Sequence, residues 1–328
     1  MEQTCWMPDV LAGFEQSTLS GLTASDGPAA PVLVRRRCTR PSLKAVLYIH
    51  GYVDYFFQTH LADFYNQLGL HFYALDLRRH GRALRVGQLP NFTRDMDEYL
   101  QDVDAAIQRI RGEGHTDWLL LNGHSTGGLV AALYAHRGSQ RAGVNALCLN
   151  SPFLDMNLPK WKQWLLEPLL SAIGASLPRL RLPSPPGCYG ESLHITCHGE
   201  WRYNTDWKPL YGFPVYAGWL RAIHRAHAEV AGGLTIQCPV LVLHAQRSAW
   251  PTQWQQEATC TDIVLDVADI ARLSPGLGAQ VEVLAITDGI HDLVLSKPEP
   301  RQQTFQALRD WLTRIGAVGA AQPPTQLT

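Results

Sequence analysis

Along the chain, short apolar runs alternate with longer stretches in which apolar residues return every three or four positions. "KAVLYIHG", "HFYALDLR", "DWLLLNGHS", "NALCLNSPF", "PVLVLHA" and "VEVLAITDG" are near-continuous apolar runs, the pattern of strands covered on both faces. "FEQSTLSG" and "APVLVRRRC" predict two edge strands separated by the turn-forming "ASDGPAA". Helical spacing fills the intervals, in "DYFFQTHLADFYNQLG", "DMDEYLQDVDAAIQRIR", "TGGLVAALYAHR", "DVADIARLSPGLG" and "QQTFQALRDWLTRIG". The second of these opens with acids and ends with arginines, as the helix dipole favours. The alternation predicts an α/β fold: a mostly parallel, eight-stranded sheet with helices on both faces.

The alternation stops between Ser151 and about Ile236. In "LPKWKQWLLEPLLSAIG", Trp161, Trp164 and Leu165 share one helical face. In "YAGWLRAIHRAHAEVAGG", Trp219, Ile223, His227 and Val230 share another. Residues 152–236 therefore read as an insertion seated on the strand ends, with 1–151 and 237–315 as the core. The tail, 316–328, has too few large apolar residues to pack and is expected to be disordered.

Composition narrows the class. With 46% apolar residues, 17% charged residues and a formal net charge of -1, the chain carries no electrostatic footprint for nucleic acid or an anionic membrane surface. The one basic run, "RRRCTR" (Arg35 to Arg40), reads as a solvated strand end. Seven scattered cysteines without a CxxC pair suit a reducing compartment, and Cys148 and Cys238 read as small core residues. No signal-peptide pattern opens the sequence, and no apolar run reaches the ~18 residues of a membrane span. A soluble, cytoplasmic protein is expected. The sequon "NFT" at Asn91 is then idle.

The candidate chemistry starts at "NGHSTGG". Gly123-His124-Ser125-Thr126-Gly127 fits G-x-S-x-G, after a strand and before a helix, the setting of a nucleophile elbow. A serine in so sharp a turn needs small neighbours, which Gly123, Gly127 and Gly128 supply; the bland alternative is a capping serine in a strand-to-helix turn. The candidate base is His291 in "ITDGIHDLVLS", in the loop after the last strand. His50, His80, His224 and His227 are less well placed, and His224 with His227 lacks the further ligands of a metal site. The acid should follow "PVLVLH" closely, yet the first aspartate there is Asp262, beyond an excursion whose only carboxylate is Glu257. Asp262 is the first choice, with Asp155 in "NSPFLD" and Glu257 as alternatives. The oxyanion donors are assigned to the N–H of Thr126, directly after the serine, and the N–H of Tyr52 in "HGY".

Taken together, "YIHGYVDYF", "YALDLRRHGRAL", "LNGHSTGGLVAALYA", "LNSPFLD", "PVLVLHA" and "GIHDLVLS" resemble the α/β-hydrolase superfamily. Within it they look like the monoacylglycerol lipase and lysophospholipase-like branch, whose bacterial members often carry a serine aminopeptidase label. The resemblance spans nearly the whole chain outside the insertion. It implies Ser125, His291 and an acid near Asp262 as a triad, Tyr52 and Thr126 as backbone donors, and 152–236 as a cap over the pocket. Arg79 stands where the branch commonly has glycine, and the step from strand to acid is longer than usual. The expectation is a serine ester hydrolase acting on a small acyl ester, without metal or cofactor. Acyl transfer or C–C bond hydrolysis on the same triad, and a non-catalytic binding protein, are the alternatives.

Overall fold

The computed structural model describes residues 5–24, 27–114, 116–156, 170–183 and 187–319. A nine-stranded sheet runs through it. The strands, in chain order, are β1 (Met7–Pro8), β2 (Glu15–Thr18), β3 (Val32–Arg36), β4 (Lys44–Ile49), β5 (His71–Asp76), β6 (Trp118–His124), β7 (Ala146–Asn150), β8 (Val240–Ala245) and β9 (Val281–Ile286). Their order in the sheet is β1-β2-β3-β5-β4-β6-β7-β8-β9. β1, β2, β3 and β5 pair antiparallel in succession, and from β5 to β9 every pairing is parallel. The ninth strand departs from the expected eight. β1 is only the exposed pair Met7 and Pro8 set against Gln16 and Glu15, too short to leave a periodic signal.

Strands β4 to β8 are covered on both faces, and their alternation divides the core; β9, at the sheet edge, is only half-buried, with Ala285 exposed. Ala45, Leu47 and Ile49 of β4 face a cluster holding Tyr99, Val103 and Ile107 of α2 (Asp97–Arg111) and Leu129 to Tyr134 of α3 (Thr126–Arg137). Val46 and Tyr48 face the opposite cluster, with Leu61 and Tyr65 of α1 (Thr59–Gln67) and Leu308, Trp311 and Leu312 of the C-terminal helix Pro298–Arg314. A side-chain period of two puts neighbours in one strand on opposite faces, so each run must be apolar throughout.

Between β7 and β8 the described residues add no strand to this sheet. They hold a short helix, Tyr189–Leu193, a two-stranded pairing of Arg181–Leu182 with Val215–Tyr216, and a longer helix, Ala217–Ala231. On the longer helix Trp219, Ile223, His227 and Val230 are buried, as the helical spacing predicts. Trp161, Trp164 and Leu165 lie outside the described residues, as do residues 320–328 of the tail. Residues 316–319 lie within them. Ala317 is buried, and its carbonyl accepts from Lys44 Nζ at 2.5 Å, so chain packing continues past the expected boundary at 316.

One surface reading also changes. Arg35 is buried rather than solvated: Glu113, just past α2, accepts from Arg35 at 2.6 Å and from Arg37 at 2.7 Å. The Arg35 guanidinium lies 3.8 Å from the centre of the Trp6 ring, so an acid and an aromatic cover replace water. Asn91 is buried, which withdraws the sequon from the surface. All seven cysteines are free thiols. Among the described residues no helix is long and apolar enough to cross a membrane.

Candidate active site

The sheet order reverses about β4: the chain passes from β4 to β5 on one side and returns to β6 on the other. Loops leaving the carboxyl ends of two such strands diverge and open a crevice between them. Ser125 follows β6 at that point, and the segment from His50 to Asp54 follows β4.

Ser125 has φ 53° and ψ -119°, a strained conformation for a residue with a side chain. It is held by close packing that only glycines permit. A Cβ on Gly123 would stand 2.4 Å from the Gly127 carbonyl oxygen, and one on Gly127 would stand 2.2 Å from the Ile49 oxygen. The Ser125 N–H donates to the Asn150 carbonyl at 3.0 Å, and the Ser125 carbonyl accepts from Gly128 and Leu129, starting α3. Ser125 is therefore fixed at the N-terminus of a helix, where unpaired N–H groups favour negative charge. Among the described residues the Thr126 and Tyr52 N–H groups donate to no acceptor. The β4 loop reaches the elbow closely: a Cβ on Gly51 would lie 3.1 Å from Ser125 Cβ.

The distant acid is brought in by tertiary folding. After β8 the chain makes an excursion through Gln256–Thr259 and closes on itself where Ser248 bridges Asp262. Ala249 N–H donates to the Asp262 carbonyl at 2.9 Å, and Asp262 N–H to the Arg247 carbonyl at 3.0 Å. These bonds pin both ends of the excursion, so Asp262 stands close to the end of β8 despite its distance in sequence. Its carboxylate is fully buried. One oxygen accepts the Val264 and Leu265 N–H groups, both at 2.8 Å, and the other accepts His291 Nδ1–H at 2.8 Å. That pairing leaves His291 Nε2 to exchange protons. The alternatives are committed elsewhere. Asp155 pairs with Arg272 at 2.9 Å, and Glu257 lies at the surface near Arg247.

The His291 ring packs 4.9 Å from that of His124, the residue preceding Ser125. Asn150, at the end of β7, ties the two loops together. Its carbonyl also accepts from His124 Nδ1 at 3.2 Å, and its side-chain amide donates to Asp292 at 2.7 Å. Among the described residues Ser125 Oγ makes no hydrogen bond. His50 is a positioning group: its Nε2 accepts from the Leu77 N–H, so its Nδ1–H donates to the Gly51 carbonyl. His80 is buried, which pushes its pKa down to about 3 and keeps it neutral. His227 bonds the Phe153 carbonyl through Nε2 and sets its ring against Phe153. Arg79 adopts φ 63°, the left-handed region that glycine occupies at no steric cost.

Two residues of the insertion escape the sequence reading. Tyr189 packs edge-on to His291 at 5.5 Å, and its hydroxyl accepts the Asp292 N–H at 3.1 Å. Burial holds that phenol well above its ordinary pKa, so it stays neutral. Lys208 is buried and pairs with Asp54 at 2.7 Å. Burial alone would push the Asp54 carboxyl up, but the Lys208 ammonium, with His124 and His50 nearby, outweighs it and holds the pKa below the ordinary value. Asp54, His124 and Asp292 each bring a ligand-type atom within 4.8 Å of the others, with Lys208 supplying the cation beside Asp54. In sequence Lys208 is one lysine in "TDWKPLYG", with nothing but flanking aromatics to set it apart.

The fold has wide company. A monoacylglycerol lipase from Paleococcus ferrophilus superposes with a TM-score of 0.63 at 19% identity, covering 86% of this chain and 99% of its own. A soluble variant of the Saccharomyces cerevisiae monoglyceride lipase gives 0.66 at 14% identity, covering 98% and 96%. The α/β-hydrolase domain-containing protein 10 from mouse gives 0.56 at 15% identity, covering 92% and 99%. No curated protein matches by sequence. The family model described as "Serine aminopeptidase, S33" matches residues 40–250, and the chain belongs to that family, on the α/β-hydrolase fold.

Proposed function

We propose that the protein is a serine ester hydrolase working through an acyl-enzyme. The observation that carries the reading is the buried His291–Asp262 pair packed against a serine elbow. Ser125 Oγ attacks the acyl carbonyl while His291 Nε2 takes its proton. Asp262 holds the imidazole tautomer and stabilises the imidazolium. The Tyr52 and Thr126 N–H groups bind the oxyanion, and the α3 N-terminus adds its dipole. His291 then returns the proton to the leaving alkoxide, and on the second half-reaction activates water to release the acid. Residues 152–236 are assigned as the cap over Ser125.

An ester is favoured over a peptide with a free amino terminus. The monoacylglycerol and monoglyceride lipases of the same fold point to an acylglycerol, a lysophospholipid or another small acyl ester. The pairing of Asp262 with His291 argues against a non-catalytic binding protein.

The test is turnover of p-nitrophenyl esters graded by chain length, with a p-nitroanilide as the amide control. Ser125→Ala is expected to lower kcat by about 10⁴–10⁶-fold and to abolish labelling by a fluorophosphonate probe. Undiminished turnover by purified Ser125→Ala protein refutes the proposal.

A further inference from the structure

The four residues that follow Gly51 carry a conflict. Val53 has φ 48°, a conformation that a β-branched side chain resists. Such a backbone persists only where its surroundings impose it. Here the surroundings come from the insertion. The Tyr52 ring lies 4.1 Å from that of Trp219, and its hydroxyl donates to the Pro214 carbonyl at 3.3 Å. The Tyr55 hydroxyl accepts the Asn204 N–H at 2.7 Å. Between these contacts Lys208 Nζ reaches Asp54 at 2.7 Å, with the rings of Phe57, Tyr203 and Tyr189 lying 5.7, 5.7 and 6.0 Å from the ammonium. A surface lysine would lose little by moving; this one is desolvated, caged and paired with a buried carboxylate.

The position of the pair matters as much as its burial. Asp54 stands two residues after Tyr52, His124 one before Ser125, and Asp292 one after His291, and these three side chains meet. Any shift of Asp54 is therefore felt where all three catalytic loops come together. We propose that Lys208 is a positioning residue: through Asp54 it holds the strained segment 52–54 in the conformation that presents the Tyr52 N–H to the oxyanion. The insertion then completes the catalytic machinery as well as covering it. This rests on the assignment of Ser125 and Tyr52 above.

Lys208→Met keeps the length and apolar stem but leaves Asp54 charged and unpaired. The neutral pair Asp54→Asn with Lys208→Met is the companion that keeps the fold. Both are assayed with a p-nitrophenyl ester, with competent sites counted by fluorophosphonate titration so that kcat refers to folded protein. The neutral double variant is expected to lose about 10–100-fold in kcat per titrated site, with KM within about threefold, because a loosened donor weakens transition-state rather than ground-state binding. Adding Val53→Gly, which removes the strain, is expected to recover most of that loss. A kcat per site within about twofold of the unmodified enzyme, or a loss that Val53→Gly leaves untouched, overturns the proposal. Failure of the assignment beneath it is distinguishable: the unmodified enzyme would then take no label at Ser125, whatever stands at 208.

Discussion

Replacing Asp262 by asparagine isolates the least visible member of the proposed triad. The structure dictates how the new amide must sit. One oxygen position of Asp262 accepts two backbone N–H groups, from Val264 and Leu265, both at 2.8 Å. The amide carbonyl must take that position, since the NH₂ group there would face two donors and forfeit both bonds, at about 1–3 kcal/mol each. The NH₂ then occupies the other position, 2.8 Å from His291 Nδ1. Two donors cannot face each other, so the imidazole proton moves to Nε2, the nitrogen that must accept the serine proton. Full burial of residue 262 leaves no water to repair the mismatch. The expected loss is about 10⁴-fold in kcat, or about 5.4 kcal/mol at 1.36 kcal/mol per decade. The fold should survive, with Tm within about 5 °C, because size and backbone bonds are kept. Initial ester-hydrolysis rates per titrated site give the answer, with Asp155→Asn as control. Asp155 pairs with the half-exposed Arg272, and its loss should change kcat by less than about threefold. If Asp262→Asn keeps more than about a tenth of kcat, or Asp155→Asn falls as far, the assignment is wrong.

Three further outcomes are expected. Gly127→Ala places a Cβ 2.2 and 2.3 Å from the backbone oxygens of Ile49 and His50, which cannot turn aside, so urea denaturation should show a loss of at least about 3 kcal/mol together with lost Ser125 labelling. Arg78→Met strands fully buried Asp102, which Arg78 meets at 2.5 Å, and should cost about 3–5 kcal/mol by the same measurement; an unchanged midpoint would contradict this. Glu113 is held below its ordinary carboxylate pKa of 4.5, where burial is outweighed by bonds from Tyr73 and Arg37. Its contribution is therefore complete above pH 4.5 and lost as pH falls through the lower folded value, so Glu113→Gln should flatten the fall of Tm below pH 4.5.

The strand pattern and the elbow were legible for a common reason. A strand buried on both faces must be apolar at every position, and a serine in a left-handed turn must have glycine neighbours; both demands fall on adjacent residues. The place of His291 beside the elbow was legible because it follows the last strand, where a loop reaches the same end of the sheet. β1 was not, because two exposed residues carry no period. Nor was the burial of Arg35, since its partners Glu113 and Trp6 are remote in sequence.

The sequence by itself determined the layered sheet and the place of Ser125 at a strand-to-helix corner. Which acid meets the histidine was decided only in three dimensions. Asp155, Glu257 and Asp262 are chemically equivalent candidates, and their difference lies in how the excursion after β8 closes at Ser248. The same holds for Lys208, which reads as a loop lysine until folding buries it beside Asp54. Local periodicity reports which face of an element is dry. Partner choice among charged residues depends on distances between segments far apart in the chain, and only the closed fold sets those distances.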